Sequence, residues 1–178
     1  MRELNLLVVE GNLESENKNF KDAGIQTHTE SLKESIAYYH KKINCEILNP
    51  SGEKNFNKII TKLDSFDGLV WGGSSLNIYN DTPEIRRQIY FMKECFNRVK
   101  NILAICWGMQ VAVTAAGGTI KKSKNGAHIG IAKCIQINDA GLKHPIYKGK
   151  FWIYEEKRLA SYDEWRNFYG RQANEKQG

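Results

Sequence analysis

Four short apolar runs punctuate the chain: Leu4 to Val9, Cys45 to Leu48, Gly68 to Trp71 and Ile102 to Cys106. Each has the length of a strand. The first, third and fourth are nearly continuous, the pattern of strands buried on both faces of a parallel sheet. Helical spacing fills the gaps between them. Leu32, Ile36, Tyr39 and Ile43 recur at steps of four, three and four in Ser31 to Ile43, and Phe56, Ile59, Ile60 and Leu63 repeat the theme. Both segments are predicted to be amphipathic helices lying on a sheet.

The best-marked helix follows Thr82-Pro83-Glu84. Thr82 suits an N-cap, Pro83 the first helical position and Glu84 the positive end of the dipole. Ile85, Ile89, Met92, Phe96 and Val99 then form its expected core stripe. Strands alternating with helices predict an α/β fold: a doubly wound, mostly parallel sheet with helices on both faces. Such sheets bind ligands beyond the carboxyl ends of their strands, so the residues just after each apolar run are the ones to inspect.

From Gly126 the pattern changes. Ile129 to Asn138 is predicted to be a strand-pair region leading into a loop around Gly141 to Pro145. After Lys150 the chain is aromatic-rich without a long apolar run. One helix is expected there, around Asp163 to Tyr169, with a frayed polar end. Residues 1–150 are therefore expected to form the α/β domain and residues 151–178 a weakly structured tail.

Composition narrows the function classes. With 178 residues, 41% hydrophobic and 26% charged, the chain is suited to one globular domain and is not a disordered polymer. The net charge of +6 is spread through helices and loops, with a short run only at Lys121, Lys122 and Lys124. Nucleic acid is therefore not the expected partner. The four cysteines form no C-x-x-C pair and no histidine stands at ligand spacing, so neither a metal nor another cofactor is expected. No apolar stretch approaches a membrane span and no cleavage-type leader opens the chain, which leads to the expectation of a cytoplasmic protein with reduced thiols.

The chemistry concentrates in Ile102-Leu103-Ala104-Ile105-Cys106-Trp107-Gly108-Met109-Gln110, where a buried strand passes at once into an alanine-rich helix. A nucleophile at such a turn needs small residues two positions either side, and Ala104 and Gly108 supply them. Free amides and the positive end of the helix favour negative charge there, and the Trp107 amide can face an oxyanion. The alternative is a cysteine that is simply small and buried. Trp71-Gly72-Gly73-Ser74-Ser75, after the third run, could lie beside this turn and offer a second amide.

Together these segments resemble the class I glutamine amidotransferase domain, the glutaminase module found for instance in GMP synthase. The resemblance rests on Asp67 to Ser75 with Tyr79-Asn80-Asp81-Thr82-Pro83, on Ala104 to Gln110 with Gly117-Gly118, and on Gly130-Ile131-Ala132 with His144-Pro145-Ile146-Tyr147. It implies Cys106 as the nucleophile that forms a γ-glutamyl thioester from glutamine. It implies the Gly73 and Trp107 amides as the oxyanion hole, and Gly72, Gly108 and Gln110 as the lining of the glutamine pocket. The family's proton-transferring histidine and its orienting carboxylate come from a His-Pro-Glu element. Here the one His-Pro, at His144, is followed by Ile146 and matches an earlier family loop, so His144 is not assigned as the base.

The resemblance thus implies a domain lacking its closing segment and impaired in hydrolysis, with truncation or a frame change near Lys150 as the favoured explanation. Other readings stay open. The chain could be a non-catalytic glutamine-binding or regulatory subunit of a synthetase, or another cysteine-dependent acyl-transfer enzyme on this fold, such as a γ-glutamyl hydrolase or a homoserine acyltransferase. The chain carries no phosphate-binding loop of its own, so an ammonia-accepting synthetase would be a separate partner.

Overall fold

The computed structural model describes residues 2–52, 56–122 and 137–145. The chain divides into two compact units, Met1–Lys124 and Asn125–Gly178.

The first unit carries four strands, β1 (Leu4–Val9), β2 (Ile43–Leu48), β3 (Gly68–Trp71) and β4 (Ile102–Ala104), in the order β2-β1-β3-β4. All pairings are parallel: Leu4 stands opposite Ile43, Leu6 opposite Gly68 and Trp71 opposite Ala104. The carboxyl ends of all four strands therefore lie along one edge. The path from β1 to β2 runs one way across the sheet and that from β2 to β3 the other. With right-handed crossovers, this reversal distributes the helices over both faces.

Alternation along β1 and β3 supplies both faces. Leu7, Val9, Leu69 and Trp71 join one apolar cluster with residues of α4 (Pro83–Arg98) and α5 (Trp107–Ala115). Val8 and Val70 are the alternate, also buried, residues. Helix α2 (His28–Tyr39) packs on β1 and β2, and its Thr27 cap accepts from the Glu30 amide while the Glu30 carboxylate accepts from that of Thr27. Helix α3 (Phe56–Thr61) and a 3-10 turn at Leu63–Ser65 precede β3.

Four details depart from the sequence expectations. Ile43, counted into a helical stripe, opens β2 instead, because α2 ends at Tyr39. Helix α1 (Glu14–Asp22) has no buried residue, and so no apolar stripe announced it. β4 stops at Ala104, two residues short of Cys106. On α4 the buried residues are Ile85, Gln88, Phe91, Met92 and Cys95, whereas Phe96 is exposed. The buried face is thus rotated toward Gln88, a polar residue that a hydropathy count passes over.

In the second unit, α6 (Asp139–Lys143) stands where a loop was expected. Asn138 caps it by accepting from the Gly141 amide at 2.8 Å. The expected strand pair falls almost wholly outside the described residues, and the tail helix at 163–169 does so entirely.

Candidate active site

Cys106 sits between β4 and α5 with φ 54° and ψ −106°, making it the one non-glycine residue of positive φ among the described residues. An L-residue held there stores strain on the order of 1–3 kcal/mol. The surrounding hydrogen bonds account for its persistence. The Ile105 amide donates to Trp71 O at 2.8 Å, and the Gly108 amide donates to Gly72 O at 3.0 Å and to Ile105 O at 3.0 Å. The thiol is exposed, so the reading of a small buried cysteine does not hold.

Gly108 fits this turn for a steric reason. A Cβ there would lie 2.4 Å from Trp71 O and 2.7 Å from Trp71 Cβ, contacts no side chain survives. Only a glycine lets α5 start hard against the end of β3. The same bonds bring the Gly72-Gly73 turn beside the cysteine turn. Gly73 is open, with no atom within 4 Å of a Cβ built on it. Among the described residues, neither the Gly73 amide nor the Trp107 amide has a protein acceptor. Gln110 is half-buried one turn into α5, where its amide donates to Cys106 O at 3.1 Å.

Beneath these turns lies a buried polar layer that the sequence reading missed. The Trp107 side chain is 1% exposed and its Nε1 donates to Gln88 Oε1 at 2.7 Å. An indole N–H can only donate, so the Gln88 amide oxygen must face it, leaving the amide nitrogen to donate elsewhere. It does so to Gly11 O at 3.0 Å and Ser51 Oγ at 2.7 Å. Ser74 Oγ lies 3.0 Å from the same Gly11 O and 2.9 Å from Asn12 Oδ1, which share its one hydroxyl proton, and Asn12 Oδ1 also accepts from the Ser75 amide at 3.0 Å. Gly11 leaves room for the indole, since a Cβ there would sit 2.7 Å from Trp107 Cδ1. The available signal was Gln88 itself, three residues after Ile85 and four before Met92 on an otherwise apolar face.

The other cysteines of the first unit differ. Burial pushes the Cys95 thiol up to about 12, with nearby Glu94 adding to the shift. Burial also raises that of Cys45, against the opposing charge of Lys33. His28 and His40 are exposed residues at the two ends of α2 and neither bonds to Cys106. His144 is exposed at the close of α6, and His128 lies outside the described residues. A cavity of about 750 Å³ opens elsewhere on the first unit, lined by Glu14, Asn49, Lys58, Glu84 and Arg87 among others, and Cys106 is not part of it. Among the described residues no three His, Cys, Asp or Glu side chains are grouped as metal ligands, and no helix is long and apolar enough to cross a membrane.

The profile of the family described as Glutamine amidotransferase class-I matches residues 25–158. A gamma-glutamyl-L-1-hydroxyisopropylamide hydrolase of Pseudomonas sp. is 28% identical over 159 residues, 84% of this chain and 51% of the relative. Gamma-glutamyl peptidase 4 of Arabidopsis thaliana is 27% identical over 78 residues, 44% of this chain and 31% of the relative. Gamma-glutamyl peptidase 3 of the same plant is 30% identical over 69 residues, 39% and 28% of the two chains. The chain thus spans about half the length of the first relative and less of the others. No solved structure gives a significant match.

Proposed function

This chain belongs to the glutamine amidotransferase class-I family, and on that premise we propose that it hydrolyses a γ-glutamyl amide through a thioester on Cys106. The observation that carries the reading is the strained, exposed Cys106 turn bonded directly to a glycine turn whose amide has no acceptor among the described residues.

In the proposed reaction the Cys106 sulfur attacks the side-chain carbonyl carbon of the γ-glutamyl group. The amides of Gly73 and Trp107 donate to the oxygen as it gains charge, which is where preorganised donors contribute most. Gly72, Gly108 and Gln110 shape the space for the glutamyl moiety. Collapse of the tetrahedral intermediate breaks the C–N bond, and the amine leaves with the thiol's proton. Water then attacks the thioester carbonyl, releasing glutamate and returning a proton to the sulfur. Ammonia is the leaving group when the substrate is glutamine, and an organic amine when it is a substituted γ-glutamylamide. The names of the relatives favour the substituted amide. The same turn would equally serve ammonia delivery to a separate synthetase.

Turnover by these 178 residues alone is expected to be slow, because their one His-Pro pair, His144-Pro145, continues with Ile146 and not glutamate. The test is to incubate the protein with L-glutamine and with L-γ-glutamyl isopropylamide, following glutamate release and the mass of the Cys106 peptide. A glutamyl adduct on Cys106 with glutamate release, both lost in Cys106→Ala, is expected. Release that survives in Cys106→Ala, or neither adduct nor release with either amide, overturns the proposal.

A further inference from the structure

We propose that Gln88 is a positioning residue that, through the carbonyl of Gly11, sets the two oxyanion-donating turns relative to each other. The proposal rests on the function proposed above, in which the Gly73 and Trp107 amides share one oxygen.

Two amides can stabilise one developing charge only if both point at the same place to within a few tenths of an ångström. They come from different turns, one after β3 and one after β4, so something must hold those turns in register. Two links are direct, from the Ile105 amide to Trp71 O at 2.8 Å and from the Gly108 amide to Gly72 O at 3.0 Å. Both end at or before Gly72 and hold nothing from Gly73 onward. A third link passes through Gly11. Its carbonyl oxygen accepts from Gln88 Nε2 at 3.0 Å and shares with Asn12 Oδ1 the proton of the Ser74 hydroxyl, 3.0 Å away and next to Gly73. Gln88 in turn holds the Trp107 indole through Oε1 at 2.7 Å. The chain Trp107–Gln88–Gly11–Ser74 thus closes a ring beneath the cysteine.

The two side chains carrying this link on the Trp107 side are sealed from water: Gln88 is 0% exposed and Trp107 1%. Buried polar groups that are fully paired make stiff, specific arrangements, because breaking any one bond strands its partners. No described group competes for the bonds of the Gln88 amide: its oxygen takes the indole, and its nitrogen takes Gly11 and Ser51. A residue acting only as core filler on α4 would be served better by leucine or methionine. The polar choice is explained by what it connects.

The test uses the full chain, wild type beside Gln88→Met and Ser74→Ala. The first variant keeps the length and cuts the ring at its buried side; the second cuts it at the other end and serves if Gln88→Met fails to fold. With L-γ-glutamyl isopropylamide, each is expected to lower kcat about 10- to 100-fold with KM within about twofold. In ¹⁵N-labelled protein, each substitution is read at the far turn. Gln88→Met is expected to shift the Gly73 amide resonance, and Ser74→Ala that of Trp107. Unchanged kcat in folded variants, or far-turn amides that do not move, overturns the proposal. If the wild type turns over no γ-glutamyl amide, the function proposed above has failed, and the far-turn resonances by themselves decide whether Gln88 couples the turns.

Discussion

The two ends of the sheet are both rich in polar residues and use them in opposite ways. At the amino-terminal end each strand has an amide or carboxylate side chain at its second position or just before its first, Asn44, Asn5, Asp67 and Asn101, and these close upon one another. Asn44 Nδ2 donates to Asn5 Oδ1 at 3.2 Å, the Asn5 amide to Asp67 Oδ2 at 2.9 Å, and Asn101 Nδ2 to Asp67 O at 3.0 Å, while Arg2 pairs with Asp67 from outside. These bonds form an exposed ladder stitching the strand starts together. At the carboxyl end the polar side chains are buried below the turns, and what they hold up is unfinished: a strained cysteine and two backbone amides with no acceptor among the described residues. One end spends its hydrogen bonds on itself, and the other uses them to keep donors available.

The sharpest way to break this contrast is Cys106→Ala, expected to remove all glutamate release from γ-glutamyl amides while leaving the unfolding midpoint nearly unchanged; retained release in an amine-coupled assay would refute it. Next is Gly108→Ala, which drives a Cβ into backbone at 2.4 Å. It is expected to cost roughly 3 kcal/mol and the geometry of the cysteine turn, read by urea denaturation. Gly73→Ala separates site from scaffold, since no atom lies within 4 Å of the new methyl. Stability should change by less than about 0.5 kcal/mol, while hydrolysis falls about tenfold if substrate approaches that backbone. Equal activity in the variant would count against close approach of the substrate to Gly73, since alanine keeps the amide donor.

Alkylation of the native protein at pH 8 is expected to mark Cys106 and spare Cys45 and Cys95, which burial keeps protonated; peptide mapping distinguishes them. The smallest effect belongs to the other end. The Asn5 amide, then Arg2, hold the Asp67 carboxyl below its ordinary value of 3.8. Its contribution is therefore complete above that value and lost as pH falls through the lower, folded-state one. Asp67→Asn should show a modest loss of stability at pH 7 that closes as the pH is taken down through that range, with no change in hydrolysis.

Much of this was legible in the residues. The strands β1 and β3 have the bounds their apolar runs predict, and α4 begins where Thr82-Pro83-Glu84 says it must, with Thr82 accepting from the Ile85 amide. The Cys106 turn was legible because a strand meeting a helix without a loop demands small neighbours, and the sequence has them. What was not legible followed from contacts distant in sequence. Helix α1 has no apolar face to betray it. Ile43 fits a helical stripe until its pairing with Leu4 puts it in a strand. Gln88 is an unremarkable polar residue until Gly11, Ser51 and Trp107 converge on it.

Local physics therefore settled which residues could bear chemistry: apolar period set strands and helices, and the small residues around position 106 permitted an abrupt turn. Tertiary structure alone decided how that turn is held. Residues 11, 51, 74, 88 and 107 meet only after four parallel strands align their carboxyl ends, and a hydrogen bond between groups dozens of positions apart leaves no periodic trace in the chain that makes it.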